Sequence, residues 1–139
     1  MPVQPKFVIF AHHATYDTLH QVATLGLTAS AMGKDVIVIL LFWTIKKLAE
    51  GKIDQVDFPP EYAASAGEVT RLLKEKNVPK ISEMFQDAKH VGKFRLIACS
   101  AGLEYMGVDS AKVEMNVDEV MGLPAIIALT SDAETKLFI

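Results

Sequence analysis

Three short, mostly apolar runs, separated by segments of helical period, constrain the fold of this chain most strongly. The runs are Phe7–Phe10, Asp35–Leu40 and Phe94–Ala98, and this pattern is typical of strands buried on both faces of a parallel sheet. Between the first two runs, apolar residues recur at helical spacing from Leu19 to Met32, and Gly33 follows as a helix stop. Strand, helix and strand in this order form the crossover unit of a parallel sheet. The sequence therefore predicts an α/β fold.

The remaining segments extend the same alternation over a single domain, residues 1–139. A length of 139 residues suits one compact domain, and no repeat or linker interrupts it. The predicted helices are Trp43–Glu50, Glu61–Asn77, Glu83–Val91 with Ser82 as its cap, Ser100–Gly107, and Asp118–Leu129 with Pro124 in its first turn. Lys136–Ile139 is predicted as a last strand, and Lys52–Pro60 as an exposed, irregular excursion.

Composition narrows the class of protein. The net charge of −3 and a pI near 5.8 argue against a nucleic-acid partner, which requires a basic face. Half of the residues are hydrophobic and the mean hydropathy is +0.25, so we expect apolar surface to be buried between subunits. The most apolar stretch, Val36–Ile45, is too short to span a membrane. One cysteine and no evident signal peptide indicate a reducing, cytoplasmic setting.

Candidate site residues follow the predicted strands. Cys99 ends the third strand, His12 and His13 follow the first, and Trp43 follows the second. Ligands gather outside the carboxyl ends of parallel strands, so we expect these groups to share one crevice. If a helix opens at Ser100, its positive end favours the thiolate form of the cysteine. The alternative is that Cys99 packs as a small, inert hydrophobe.

The supporting side chains allow several interpretations. Adjacent histidines in an extended chain point to opposite sides, so at most one of His12 and His13 faces the crevice. There it would stabilise a thiolate or move a proton; otherwise it belongs to a solvated loop. These histidines and Cys99 lack the ligand spacing of a zinc site, and we expect no metal. No glycine-rich phosphate loop follows the first strand, which disfavours nucleotide binding.

The residues that follow the second predicted strand also allow more than one interpretation. We expect Trp43 to belong to the core, with a roof over the cysteine crevice as the alternative. Lys46 and Lys47 are expected on a solvated helix face; the alternative is that they attract an anionic sulfur donor.

One segment resembles a known family. It runs Leu-Ile-Ala-Cys-Ser-Ala-Gly-Leu-Glu-Tyr-Met-Gly-Val over Leu96–Val108 and resembles the cysteine segment of the DsrE/DsrF-like family. The first crossover, Ala29–Val36 with the strand reaching Trp43, is also similar. So is the C-terminal part, with Val120–Ile126 before a strand that closes in Leu137–Ile139. The resemblance spans nearly the whole chain.

The resemblance implies a flavodoxin-like, three-layer sandwich with a mostly parallel five-stranded sheet and helices on both faces. It also implies homo-oligomers, often trimers or hexamers, and a sulfur relay without a cofactor. In that relay Cys99 carries persulfide or thiosulfate between donor and acceptor proteins or small thiols. Ser100, Ala101 and Gly102 would then line its pocket. With no second cysteine, the sulfur must pass to another molecule. The alternative is an oligomeric module that binds a small anion or a partner while Cys99 stays inert.

Overall fold

Five parallel strands form the centre of the fold in the computed structural model, which describes residues 3–139. They are β1 (Lys6–Ala11), β2 (Asp35–Leu40), β3 (Lys93–Cys99), β4 (Glu119–Met121) and β5 (Thr135–Phe138). Their order in the sheet is β4-β3-β2-β1-β5, and every neighbouring pair is parallel. The chain steps outward from β1 to β4 and then returns to place β5 on the other side of β1. The predicted α/β class is confirmed, and the sheet is parallel throughout.

In the described residues, 3–139, seven α-helices pack around this sheet. They are α1 (Tyr16–Ala31), α2 (Trp43–Ala49), α3 (Ala66–Glu75), α4 (Ile81–Val91), α5 (Ser100–Tyr105), α6 (Ser110–Glu114) and α7 (Leu123–Thr130), with a 3-10 turn at Pro60–Ser65 before α3. In the described part of the chain, every helix is too short or too polar to cross a bilayer.

The two faces of the sheet carry cores of different size. Side chains of a strand alternate between faces, so Val38 joins the larger core, where α1 and α4 pack against each other. Ile39 points to the opposite face and joins a smaller core, to which α7 contributes Ile126. Helices on both faces confirm the three-layer sandwich.

The structure corrects the element expected from Asp118. In place of a helix from this residue, the chain forms the short strand β4, and α7 begins only at Leu123, with Pro124 in its first turn. The main-chain N–H of Asp118 donates to Leu96 O at 2.9 Å, and its carboxylate accepts from the N–H of Leu96 at 2.8 Å. Pairing with β3 therefore decides the conformation here, and a three-residue strand has no period that sequence could reveal.

The excursion at Lys52–Pro60 is irregular, as predicted, but its exposure was overestimated. Ile53, Val56 and Phe58 are partly buried against the larger core. The carboxylate of Asp54 accepts hydrogen bonds from the N–H of Ser82 at 2.9 Å and from its hydroxyl at 2.6 Å. Ser82 therefore does not cap α4, which begins one residue earlier; it ties the loop to that helix.

The contact between α1 and α4 depends on a glycine at the end of α4. The hydroxyl of Ser30 donates to Ala88 O at 2.7 Å, which brings the two helices together. A Cβ on Gly92 would lie 2.5 Å from Ser30 O, a main-chain atom that cannot rotate away. Only glycine fits this approach without moving a helix.

We predict that Gly92→Ala lowers the free energy of unfolding by about 1–3 kcal/mol, the usual cost of overpacking. Urea denaturation followed by circular dichroism measures this difference. Gly67→Ala in α3 is the matched control, because no heavy atom lies within 4 Å of the added Cβ. That control should be neutral or gain up to about 1 kcal/mol. Equal stability of the two variants would contradict the proposed contact.

Candidate functional site

Cys99 lies at the junction between a strand and a helix. It is the last residue of β3 and the N-cap of α5. Its side chain faces the smaller core, and only 3% of the residue is exposed. In the ladder between β3 and β4 it is paired with Met121, which packs against the same core. The sole thiol of the chain is thus at the carboxyl edge of the sheet but covered.

The residues after Cys99 differ in how they surround it. Ser100 is exposed, and Ala101 packs against the same small core as the thiol. A Cβ on Gly102 would lie 2.6 Å from Ile45 Cδ1 and 4.0 Å from Cys99 Cβ. The missing side chain of Gly102 therefore allows α5 to pack closely against α2 beside the cysteine.

A strained residue connects β2 to α2. Phe42 has φ 50° and ψ −109°, a conformation that a bulky side chain adopts at a cost of about 1–3 kcal/mol. Its ring is half exposed and lies 6.5 Å from the ring of Tyr105 on α5. This sharp turn starts α2 immediately outside the sheet edge, and it places Trp43 at the first position of that helix.

A cavity of about 710 Å³ opens beside this turn. His13 and Trp43 line it from the ends of β1 and β2, and Thr15 and Thr18 line it from the start of α1. Cys99 does not line it. The structure therefore separates the predicted crevice residues. His13 and Trp43 line this cavity, whereas the thiol of Cys99 lies in the smaller core.

The two adjacent histidines have different surroundings. Both side chains are exposed, and their rings lie 4.0 Å apart, so the expectation that they point to opposite sides is wrong. His13 lines the cavity, whereas the main-chain N–H of His12 donates to Ile139 O at 2.9 Å. Across residues 3–139, no three histidine, cysteine or acidic side chains are grouped as metal ligands.

Lys47 is the main feature that sequence reasoning missed. Its side chain is only 8% exposed, so its assignment to a solvated helix face is wrong. Its ammonium donates to Ala14 O at 2.7 Å, to Gln55 O at 3.3 Å and to Asp57 Oδ1 at 2.9 Å. The one signal in the sequence is the carboxylate of Asp57 ten residues later, but no local pattern shows that the loop folds back.

Asp57 also stabilises the start of α1. Its carboxylate accepts the first helical N–H, that of Tyr16, at 2.8 Å, which satisfies one of the amides that a helix start leaves unpaired. Burial raises the pKa of Tyr16, and the charge of Asp54 raises it further, so the phenol stays protonated at neutral pH. Asp57 joins the loop to α1 and α2, and Asp54 joins it to α4, so the two aspartates hold the loop in place.

The expectation that Trp43 belongs to the core is wrong. The residue is 52% exposed, because the turn at Phe42 directs the chain outward before the helix begins. Its indole borders the cavity instead of the sheet interior.

The chain resembles proteins of known structure in its fold, but it matches no known sequence family. No family model matches the chain, and no curated sequence matches it. A conserved protein of unknown function, BT1422 from Bacteroides thetaiotaomicron, has a TM-score of 0.60 at 19% identity, over 97% of this chain and 95% of that one. The ychN protein from E. coli has a TM-score of 0.58 at 16% identity, over 99% and 100%. The protein of unknown function MTH1491 from Methanobacterium thermoautotrophicum also has a TM-score of 0.58, at 13% identity over 98% and 100%. At these identities the likeness shows the fold alone, and that fold is the α/β sandwich shared by all three proteins.

Proposed function

We propose that this chain is a sulfur carrier of the DsrE/DsrF-like kind, which holds persulfide or thiosulfate on Cys99 and passes it to an acceptor thiol or a partner protein. The observation that carries the proposal is the position of Cys99, the sole thiol, at the carboxyl end of β3 where α5 begins. Ligand-binding groups of parallel α/β sheets gather at this edge. The family-like segment Leu96–Val108 contains the thiol, and the chain has the fold of the three structural neighbours over at least 97% of its length.

The proposed loading step needs no external oxidant. With thiosulfate, the thiolate of Cys99 attacks the outer sulfur, the S–S bond of thiosulfate breaks, and sulfite leaves with the electron pair. Cys99 then carries a persulfide. An acceptor thiolate attacks the terminal sulfur in the second step, and Cys99 leaves as a thiolate. Since the chain has one cysteine, it cannot release the sulfur by forming an internal disulfide.

Burial of the thiol makes access the controlling step in this proposal. Cys99 is 3% exposed, and Met121 and Ala101 pack against the same small core. Met121 belongs to β4, an edge strand held to β3 by three residue pairs. Short edge elements open locally at low free-energy cost. A donor would therefore reach Cys99 when β4 moves away, and the closed cover would protect the persulfide from water and oxidants.

The proposal includes a homo-oligomer, trimeric or hexameric, working in the reducing cytoplasm where a lone thiol stays reduced. The exposed apolar surface beside α7 supports assembly. Ile127 on α7 is 66% exposed, and Phe138 on the edge strand β5 is 73% exposed. The ring of Phe138 stacks on that of Phe10 at 4.7 Å. Burial of these two exposed apolar side chains between subunits would favour assembly.

A second candidate function is favoured by a different observation. The cavity beside Trp43 does not include Cys99, and the thiol is packed in a core. A binding module with an inert cysteine would have this arrangement. Thiol labelling of the native protein distinguishes the two functions, because an inert, core thiol reacts only after the protein unfolds.

We predict that reduced protein incubated with thiosulfate, tetrathionate or polysulfide gains the mass of one sulfur or one thiosulfonate. Intact-mass spectrometry measures the gain, dithiothreitol should reverse it, and Cys99→Ser should show none. Absence of an adduct with every donor, on protein whose thiol is shown to be reduced, would contradict direct loading. The binding-module function would then be the better account.

We also predict that Met121→Ala speeds the labelling of Cys99 by iodoacetamide in the native protein by about fivefold or more. This factor corresponds to ~1 kcal/mol of packing lost from the cover. Met115→Ala is the matched control, because Met115 is 84% exposed and lies outside the core around the cysteine. Equal labelling rates in the two variants would show that β4 does not control access.

A further inference from the structure

The cavity beside Trp43 is assembled from three separate segments. It combines the β1–α1 connection with His13, helix α2 with Trp43 and Lys46, and the loop that ends in Pro59 and Pro60. Its volume of about 710 Å³ is within the range of small-molecule sites. We name it the Trp43 cavity.

Its floor is a fixed ion pair. The ammonium of Lys47 is 2.9 Å from Asp57 Oδ1 and also bonds two main-chain oxygens. Asp57 in turn accepts the N–H of Tyr16. Because every charge on the floor is paired within the protein, the floor is rigid and nearly neutral, and it ties all three segments together. A ligand would enter a pre-formed site.

One wall presents a flat, apolar surface. Trp43 remains 52% exposed although it is the largest apolar side chain available for the core. The strained turn at Phe42 keeps it at the cavity, and Pro59 and Pro60 also line the space. An exposed indole binds flat rings by stacking and by burial of apolar area.

The rim carries ammonium groups with incomplete pairing. Lys46 and Lys52 share one carboxylate, that of Glu50, at 4.0 Å and 3.3 Å. The distance from Lys46 exceeds that of a hydrogen bond, so its ammonium retains donors for another anion. Lys46, Lys52 and the Trp43 indole border the same cavity, and the exposed Glu61 borders it at the loop.

We infer that the Trp43 cavity binds a small organic anion whose flat ring stacks on Trp43 and whose carboxylate or phosphate contacts Lys46 and Lys52. This ligand site is separate from Cys99 and goes beyond the proposed sulfur chemistry. The ring supplies apolar contact with the indole wall, and the anionic group contacts the two ammonium groups of the rim.

The test is a titration followed by NMR, with benzoate and phenyl phosphate as probes. The single tryptophan provides one indole N–H signal, which reports the cavity directly. We expect a saturable shift of this signal with at least one of the two probes, and the tighter of the two identifies the anionic group. Cyclohexanecarboxylate, which lacks the flat ring, and benzylammonium, which reverses the charge, should bind at least about fivefold more weakly.

Variants then test the named contacts by calorimetry. Lys46→Ala should weaken binding of the tighter probe about fivefold to tenfold, the effect of about one lost charge-assisted contact. Trp43→Ala should weaken it at least as much. Lys74→Ala removes the same charge from exposed α3, outside the cavity, and should bind as the wild type does. All three side chains are exposed, and circular dichroism verifies that the variants are folded.

Three results would overturn the inference: no saturable shift with either probe, equal affinity for benzylammonium, or unchanged affinity in Lys46→Ala. The titration uses no sulfur donor and leaves Cys99 unmodified. A negative titration would therefore overturn only the ligand site in the cavity. The sulfur-carrier proposal is tested separately, by the intact-mass measurement.

Discussion

The parallel pairing of β1, β2 and β3 is the constraint on which the rest of the structure depends. Six residue pairs join β1 to β2 and six join β2 to β3, and all six residues of the central strand β2 are buried. Because parallel strands end at the same edge, this ladder brings the ends at Ala11, Leu40 and Cys99 together. The thiol, the strained turn and the Trp43 cavity all lie at that edge because of this pairing.

The alternation of side chains along β3 then separates the thiol from the Trp43 cavity, although both lie at the same edge of the sheet. Ala98 faces the larger core, and Cys99, one residue later, faces the smaller core beside α7. The cavity is built from α1, α2 and the loop instead. A shift of one residue in β3 would exchange the two faces and point the thiol away from the smaller core. The register of β3 therefore determines that any chemistry at Cys99 and any ligand in the cavity are physically distinct.

Sequence reasoning succeeded where the signal was local. The apolar runs correctly located β1, β2 and β3, and glycine after a periodic segment correctly ended α1, since Gly33 adopts φ 83°. It failed where a distant partner decides the conformation. The strand β4 forms because Asp118 bonds to Leu96, and Lys47 is buried because Ala14 and Asp57 accept its hydrogen bonds. These partners are many residues away and leave no period in the sequence.

By itself, the sequence determined the alternation of strands and helices, the parallel class of the sheet and the placement of one cysteine at a strand end. These follow from hydrophobic period and from turn residues, which act over a few neighbouring positions. Only the tertiary structure decided that Cys99 is covered, that Lys47 and Asp57 form a cavity floor and that Trp43 stays in solvent. Burial and ion pairing depend on which segments meet in space, and that is settled when the loop after α2 folds back over the sheet edge.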